Sequence, residues 1–293
     1  MTHATLSARR HSSFSLSPGD MFTTPREPEE IITEALAHKP VAIYAAFSGG
    51  DTSRVVAHWM MNNVDGCRVF HANTGIGIEA TRTNVRETCK TYGWPLDEIS
   101  AADDCGMIYD DIVRKYGFPG PAQHIAMYSQ LKERPVRLLV KRAKKKRLDK
   151  VMIATGIYKD ESQNRMGYTQ AQINFVGSQM WVNPFYWWPK ERFMDYLADH
   201  KIQRSPVSEL LGMSGECLCG AFAHKGEKEL VRIVCPKTAD RIDRLEQDVL
   251  AAGHSWGWED KPPAPQDPVD DRQLEFLPFC NSCGKSDNLE KTR

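Results

Sequence analysis

One short segment of the chain has the composition of an anion-binding loop, and it lies between an apolar run and an amphipathic stretch. This glycine loop consists of Ser48, Gly49, Gly50, Asp51, Thr52 and Ser53. Glycines let backbone N–H groups approach phosphate oxygens, and a helix that begins there adds a favourable dipole. A glycine pair is also common in ordinary turns between a strand and a helix. The segment therefore indicates either a phosphate site or a plain connection.

Cysteines in the last third of the chain form a second candidate site. They occur as a Cys-x-Cys pair and a Cys-x-x-Cys pair, which are Cys217 with Cys219 and Cys280 with Cys283. Four thiolates are the number that a tetrahedral Zn²⁺ ion or a [4Fe–4S] cluster requires. We therefore predict that the two pairs converge on one metal centre. Cys235, between them, is interpreted as a buried residue that ends a strand-like run, with a spare ligand or a sulfur carrier as alternatives.

Apolar runs alternate with amphipathic stretches over most of the chain, and this alternation predicts the elements that position both sites. Strands are expected over residues 41–47, 67–73, 95–101 and 149–157, with helical patterns between them. Such alternation is typical of right-handed βαβ units and a parallel sheet. Ligands bind at the carboxyl ends of such strands. The glycine loop and the turn at Thr74 and Gly75 both follow a predicted strand, so we expect them at the same edge.

The alternation ends near residue 205, which predicts three parts of the chain. Residues 1–26 are expected to form a disordered tail without the apolar core of a secretory signal. Residues 27–205 would be a nucleotide-binding domain, and residues 206–293 a small subdomain that carries the cysteines. No apolar run approaches the length of a membrane span, so no membrane partner is expected. The eight cysteines then indicate free thiols in a reducing cytoplasm.

Charge is balanced over the whole chain, with 38 Lys and Arg residues against 38 Asp and Glu residues. Any affinity for nucleic acid must then come from a local patch rather than from net charge. The strongest local concentration is the sequence KRAKKKR over residues 141–147. We expect it in the last turns of a helix, where cations interact favourably with the helix dipole. The alternative is that it holds a nucleic-acid backbone.

Four segments, in the same order, resemble the phosphoadenylyl-sulfate (PAPS) reductase family of the PP-loop, or adenine-nucleotide α-hydrolase, superfamily. The glycine loop is similar to the SGGxDS loop of that superfamily. The segment HANTGIGIEAT over 71–81 is similar to the family's DTGxxFPET motif. The segment ATGIYKDESQNR over 154–165 is similar to SGLRREQSxxR, and VNPFYWWPKERFMDYLADHKI over 182–202 is similar to NPIxxWxxxDVWxYI. The resemblance implies an α/β fold with a Rossmann-like parallel sheet and helices on both faces, followed by the cysteine-bearing subdomain.

The resemblance also implies which residues bind the nucleotide. Besides the glycine loop, ATP with Mg²⁺ would contact Thr74, Gly75, Gly156, Lys159 and Arg165. The catalytic residues would be Asp51, Lys159 and Arg165. Asp51 departs from the Lys or neutral residue that is common in PP-loops. A carboxylate at this position must either bind a Mg²⁺ ion or point away from the phosphates.

The chain lacks the thiol chemistry of conventional reductases in this family. Those enzymes attack sulfur with the cysteine of a carboxyl-terminal ECGLH motif, and neither that motif nor any cysteine follows Cys283. The favoured hypothesis is therefore a PP-loop ATP pyrophosphatase that adenylates a substrate, with DNA or tRNA favoured, for sulfur transfer. Similarity to sulfur enzymes favours a [4Fe–4S] cluster over Zn²⁺. A sulfur-donor or electron-donor protein would be a further partner, beside the adenine nucleotide.

Two other functions stay open at this point. One is a sulfonucleotide reductase, acting on PAPS or adenylyl sulfate, that takes its nucleophile from Cys235 or from a partner thiol. The other is a non-catalytic, zinc-containing nucleic-acid-binding protein with a degenerate nucleotide fold. The departures at Asp51, Thr52 and Tyr158 support the second, because Thr52 stands where the family usually has Asp and Tyr158 where it often has Arg.

Overall fold

Pairing of short apolar strands builds a six-stranded sheet in the part of the chain that the computed structural model describes, which is residues 25–159 and 172–260. The strands are β1 Ala42–Ala46, β2 Cys67–Asn73, β3 Leu96–Ser100, β4 Val151–Ala154, β5 Ile173–Val176 and β6 Gln179–Val182. Their order across the sheet is β3-β2-β1-β4-β6-β5. All neighbouring pairs are parallel except β5 with β6. The α/β fold class that the sequence predicts is confirmed.

Helices cover the sheet and continue after it. They are α1 Pro28–Ala37, α2 Asp51–Asn63, α3 Glu79–Tyr92, α4 Tyr109–Tyr116, α5 His124–Tyr128, α6 Arg134–Ala143, α7 Lys190–Asp199, α8 Pro206–Leu211, α9 Glu227–Val234 and α10 Pro236–Ala251. A π-helical turn, Ser129–Glu133, joins α5 to α6. None of the described helices is long and apolar enough to cross a membrane.

Alternate residues along the strands point into two apolar layers. On one face, Ala45 and Val69 are fully buried against residues of α1, α2, α3 and α7. On the other face, Tyr44 and Phe70 pack against the apolar side of α6. Because both faces are covered, successive strand residues are apolar and the strands do not show polar alternation. This arrangement explains why the strand pattern of the sequence consists of continuous apolar runs.

A further apolar cluster joins the carboxyl-terminal helices to the loop that follows β2. Ile242 and Leu245 of α10 are buried in it together with Ile76, Ile78 and Trp258. The sequence predicts a helix around Ile242, and α10 is that helix. The expected division of the chain near residue 205 stays a prediction, because shared packing does not by itself define a domain boundary.

Two elements in the second half of the chain differ from the expected pattern. The sequence pattern does not predict the β5–β6 hairpin, since strands of four residues are too short to show a period. The prediction of a strand-like run before Cys235 is wrong, because helix α9 occupies residues 227–234. Val231 is buried in the carboxyl-terminal cluster while Leu230 and Ile233 are exposed, and this one-sided burial suits a helix.

The basic run, residues 141–147, is expected in the last turns of a helix, but most of it lies after the helix instead. Helix α6 ends at Ala143, so Lys144 and the basic residues after it lie outside the helix. The Asp149 carboxylate accepts the backbone N–H groups of Lys145 and Lys146 at 2.8 and 2.7 Å. These bonds stabilise a turn that competes with continued helix.

Candidate functional site

The glycine loop connects β1 to α2 at the carboxyl edge of the sheet. Gly49 adopts a φ of +88°, and Gly50 immediately precedes the helix. The first N–H groups of an α-helix have no acceptor within the helix, and the helix dipole there favours an anion by ~0.3–1 kcal/mol. The backbone of residues 51–53 therefore directs donors toward the edge where ligands of such sheets bind.

Hydroxyl groups hold the loop in shape. The Ser53 hydroxyl donates to the Gly50 carbonyl oxygen at 2.9 Å and accepts from the backbone N–H of Ser48 at 3.2 Å. Ser53 is buried, whereas Ser48 is exposed and Thr52 is half-buried. Ser53 therefore fixes the loop, and the hydroxyls of Ser48 and Thr52 lie closer to solvent, where a ligand can reach them.

Three other segments approach the glycines of this site closely. A Cβ atom on Gly49 would lie 2.6 Å from the methyl carbon of Thr81, and one on Gly156 would lie 2.9 Å from the backbone at the start of α2. A Cβ atom on Gly50 would lie 3.1 Å from the Cβ atom of Ser214. The chain after β4, the start of α3 and the segment at Ser214 therefore meet at the glycine loop.

The turn after β2 is bonded to a distant segment of the chain. Thr74 donates its backbone N–H to Glu216 Oε1 at 2.8 Å and its hydroxyl to the Glu216 carbonyl oxygen at 2.6 Å. Gly75 donates to the side chain of Asn73 at 3.0 Å and accepts from Arg241 at 2.6 Å. Both donors of Thr74 are thus used inside the protein. The nucleotide contact expected for Thr74 and Gly75 stays a prediction.

Asp51, the acidic residue of the loop, forms an ion pair with Arg204. Arg204 Nη2 and Nε donate to Asp51 Oδ2 at 2.7 and 3.1 Å, and this hydrogen bonding raises the pKa of Arg204. The positive charge therefore offsets a carboxylate that would repel phosphates at the start of α2. Asp51 Oδ1 is buried without a hydrogen-bond partner among the described residues. That oxygen is the atom available to a Mg²⁺ ion if Asp51 is a metal ligand.

Lys159 is the last residue described before the gap at residues 160–171. Its ammonium nitrogen lies 5.2 Å from the centre of the Trp187 ring, and its backbone N–H donates to the Tyr186 carbonyl oxygen at 2.8 Å. Its predicted contact with phosphate stays a prediction. Three further predicted site residues lie outside the described residues, and they are Arg165, Cys280 and Cys283.

A buried pair of ionisable residues lies behind the turn after β2. His71 and Glu216 are almost completely buried, and His71 Nε2 is 3.4 Å from Glu216 Oε2. The other ring nitrogen, Nδ1, lies 2.7 Å from the Phe47 carbonyl oxygen. Burial alone would lower the pKa of His71, but the Glu216 carboxylate outweighs it and the pKa is raised. The only local sign of this pair in the sequence is a histidine within an apolar strand.

Cys217 and Cys219 directly follow this buried carboxylate. A hydrogen bond from the Cys219 thiol, together with the positive charge of Lys132, holds the pKa of Cys217 below its usual range although burial opposes this. The same hydrogen bond and burial raise the pKa of Cys219. A thiolate is the form in which cysteine binds metals and attacks electrophiles. The described pair therefore fits half of a four-thiolate centre.

The remaining ligands of such a centre would have to come from elsewhere in the chain. Across residues 25–159 and 172–260, no group of three or more His, Cys, Asp or Glu side chains gathers in a metal-binding arrangement. A four-thiolate centre would thus need Cys280 and Cys283. Cys235 lies between α9 and α10, half-buried, and its sulfur accepts a hydrogen bond from the Thr238 hydroxyl at 3.1 Å.

Comparison with known proteins identifies the family. Residues 42–210 match the model of the phosphoadenosine phosphosulfate reductase domain. The chain belongs to this family. The family is part of the PP-loop superfamily, so the resemblance found in the sequence is confirmed, and its members are enzymes.

Two solved structures illustrate what the chain is similar to. The phosphate complex of PAPS reductase from Candida auris is 16% identical, with a TM-score of 0.48 over 68% of this chain and 94% of that one. The U34-tRNA thiolase NcsA from Methanococcus maripaludis, with its [4Fe-4S] cluster, is 14% identical, with a TM-score of 0.39 over 82% of this chain and 86% of that one. No curated protein matches the chain.

The first prediction concerns Gly49, with Gly66 as a matched control. Both glycines have positive φ, +88° and +73°, but a Cβ atom on Gly66 would meet nothing within 4 Å. Gly66→Ala should lower the free energy of unfolding by ~1–2 kcal/mol, from backbone strain alone. Gly49→Ala should cost a further ~1–3 kcal/mol because its methyl group overlaps α3. Urea unfolding measures both, and an equal cost for the two variants would contradict the packing described.

The second prediction concerns the pH dependence of stability. Because folding raises the pKa of His71, the pair with Glu216 stabilises the protein fully below the unfolded value of about 6.5 and loses this contribution as pH rises through the folded pKa. Glu216→Gln keeps the shape and removes the charge. It should therefore lower the free energy of unfolding by ~1–3 kcal/mol at low pH.

Urea unfolding near pH 6 and pH 9 provides the measurement. The difference between the unaltered protein and Glu216→Gln should be largest near pH 6 and should narrow as the pH rises through the raised pKa of His71. A difference that stays constant between these pH values would show that the carboxylate acts only as a hydrogen-bond acceptor for Thr74.

Proposed function

We propose that this protein is a PP-loop ATP pyrophosphatase that adenylates an oxygen of a nucleic acid and then admits sulfur at that position. The observation that carries the proposal is the glycine loop at the start of α2. Its backbone donors face the ligand edge of the sheet, and its acidic residue, Asp51, is neutralised by Arg204. A loop with these properties suits a polyphosphate leaving group.

The first chemical step would be transfer of an adenylyl group. An oxygen of the nucleic acid attacks the α-phosphorus of ATP, a new P–O bond forms, and the bond to pyrophosphate breaks. The N–H groups of residues 51–53 and the hydroxyls of Ser48 and Thr52 would bind the pyrophosphate and stabilise its charge. Lys159 and Arg165 are proposed to complete this binding. Mg²⁺, when bound, would supply additional neutralisation of the phosphates, and Asp51 Oδ1 is the atom that would hold it.

The second step would exchange oxygen for sulfur. A sulfide nucleophile attacks the activated carbon, and AMP leaves with the original oxygen. We propose that Cys217, Cys219, Cys280 and Cys283 hold a [4Fe–4S] cluster, with Zn²⁺ as the alternative metal. When bound, the cluster would bind or deliver the sulfide. The lowered pKa of Cys217 supports this role because metal ligation requires thiolate.

Release of pyrophosphate tests the proposed activity. Purified protein under anaerobic, reducing conditions should release pyrophosphate from ATP in the presence of tRNA or DNA. Gly156→Ala, which crowds the start of α2, should reduce the rate about 100-fold or more because it displaces the phosphate donors. Gly66→Ala, whose added Cβ atom would meet nothing within 4 Å, is the control and should keep the rate. Sulfite production from PAPS or adenylyl sulfate, without pyrophosphate release, would establish the reductase alternative instead.

Metal analysis tests the proposed ligands. Cys280→Ser and Cys283→Ser should each lose most of the iron and acid-labile sulfide, because each removes one of four thiolates. Cys235→Ser should retain both, since its sulfur is engaged with Thr238. Loss of metal in Cys235→Ser, with full content in the other two variants, would contradict the assignment. If the unaltered protein contained zinc and no iron, the bound metal would be Zn²⁺ and not the proposed cluster.

A further inference from the structure

Residues 141–150 carry a strong local positive charge, although the net charge of the whole chain is zero. Seven of these ten residues are Lys or Arg, and Asp149 is the single acid among them. Because Lys and Arg balance Asp and Glu over the full sequence, the remainder of the protein carries an equal net negative charge. A separation of charge on this scale creates a local field that attracts polyanions.

The basic segment is ordered, and its one acid is used by the backbone. Asp149 accepts the N–H groups of Lys145 and Lys146, and these bonds lower its pKa. Arg142 pairs with Asp104 at 3.0 Å. Within the described residues, by contrast, Lys145, Lys146 and Arg147 form no ion pair and are exposed. The turn thus presents cations that folding does not neutralise.

The helix dipole accounts for little of this charge. Only Lys141 and Arg142 lie in the last turn of α6. A favourable interaction with the dipole falls off within that turn. The cations from Lys144 onward therefore need another explanation.

A groove lies beside the basic turn. It has a volume of about 260 Å³ between the end of α6 and the β5–β6 hairpin, and its lining includes Arg137, Lys141, Lys144 and Ser178. The ammonium of Lys150 donates to the hairpin carbonyl of Gly177 at 2.6 Å. The hairpin is thereby attached to the basic segment, which makes the groove a feature of the folded chain.

The groove lies on the face of the sheet that α6 covers. Val176 and Gln179, which pair with each other across the hairpin, line it. Phe175 pairs with Met180 and lies on the opposite face, where its ring contacts His38, so it does not contribute to the groove. A positively charged groove that follows the phosphate backbone is a usual feature of proteins that bind single-stranded nucleic acid.

We propose that this surface, residues 141–150 with the groove, binds the phosphate backbone of a nucleic acid. A concave groove accommodates a single phosphodiester strand, whereas a lipid bilayer is flat and would meet only the outermost lysines. This surface would bind the nucleic acid that the proposed function uses as its substrate. The inference rests on the proposed function only for that role, and binding itself can be tested separately.

The basic surface lies away from the glycine loop. Lys150 precedes β4 and Gly156 follows it, so the basic surface and the glycine loop lie at opposite edges of the sheet. Six residues, four of them in β4, separate Lys150 from the far end of Gly156 and span at most about 20 Å. The surface should therefore affect affinity and leave the chemical step unchanged.

The test compares two variants that lose the same three charges. One is Lys145→Ala, Lys146→Ala and Arg147→Ala combined, and the control combines Lys190→Ala, Lys225→Ala and Lys237→Ala, which are exposed elsewhere. Binding of fluorescent 20-nucleotide DNA and RNA strands is measured by anisotropy over a range of salt concentrations, without ATP. The first variant should bind about tenfold more weakly, and its slope of log affinity against log salt should fall by about 2.

Each outcome decides the proposal. Weaker binding and a smaller salt slope in the first variant alone support it. An equal loss in the control, or no change in either, overturns it. Sedimentation with phosphatidylserine vesicles that depends on the three residues, without binding of either strand, would assign the surface to a membrane. Strand binding that depends on the three residues, in a protein that releases no pyrophosphate, would reject the proposed function and retain the docking surface.

Discussion

The buried carboxylate of Glu216 is the contact on which the arrangement of the site depends. It accepts the backbone N–H of Thr74 and faces His71, so it binds the segment after α8 to the turn after β2. Ser214, which borders Gly50, and Cys217, which begins the thiol pair, lie within two residues of it. A buried charge is stable only when it is paired and hydrogen-bonded. The polar partners of Glu216 therefore fix the glycine loop and the cysteine pair relative to each other.

The ion pair between Asp51 and Arg204 is a second contact that holds together distant parts of the chain, here within the glycine loop itself. A carboxylate at the start of a helix interacts favourably with the dipole, but the same carboxylate repels a phosphate that binds there. Arg204 resolves this conflict, because the ion pair keeps the loop close to neutral while one carboxylate oxygen remains unpartnered among the described residues. The departure of the loop from the usual PP-loop sequence is thus compatible with an anion site.

Local patterns in the sequence were sufficient to predict the main sheet, the helix that follows the glycine loop, and the placement of that loop at the carboxyl edge. These patterns depend on residues that are only a few positions apart, such as Val55 and Val56 in the helix that follows the loop. The pairs Asp51–Arg204 and Thr74–Glu216 join residues 153 and 142 positions apart, and no periodicity reports such contacts. The end of α6 was misplaced because helix propensity continues past Ala143, whereas the Asp149 side chain stops it.

The distance in sequence between Thr74 and Glu216 has a consequence for how the protein is made. Domains begin to fold during synthesis from the amino terminus, and the strands that support the glycine loop emerge early. Glu216 is translated 142 residues after Thr74, its partner in the turn after β2. Contacts between distant parts of a chain also form slowly, because closing a long loop costs entropy before any contact is gained. The nascent chain therefore carries an incomplete site until Glu216 has been translated, and the loop reaches its final shape among the late events of folding.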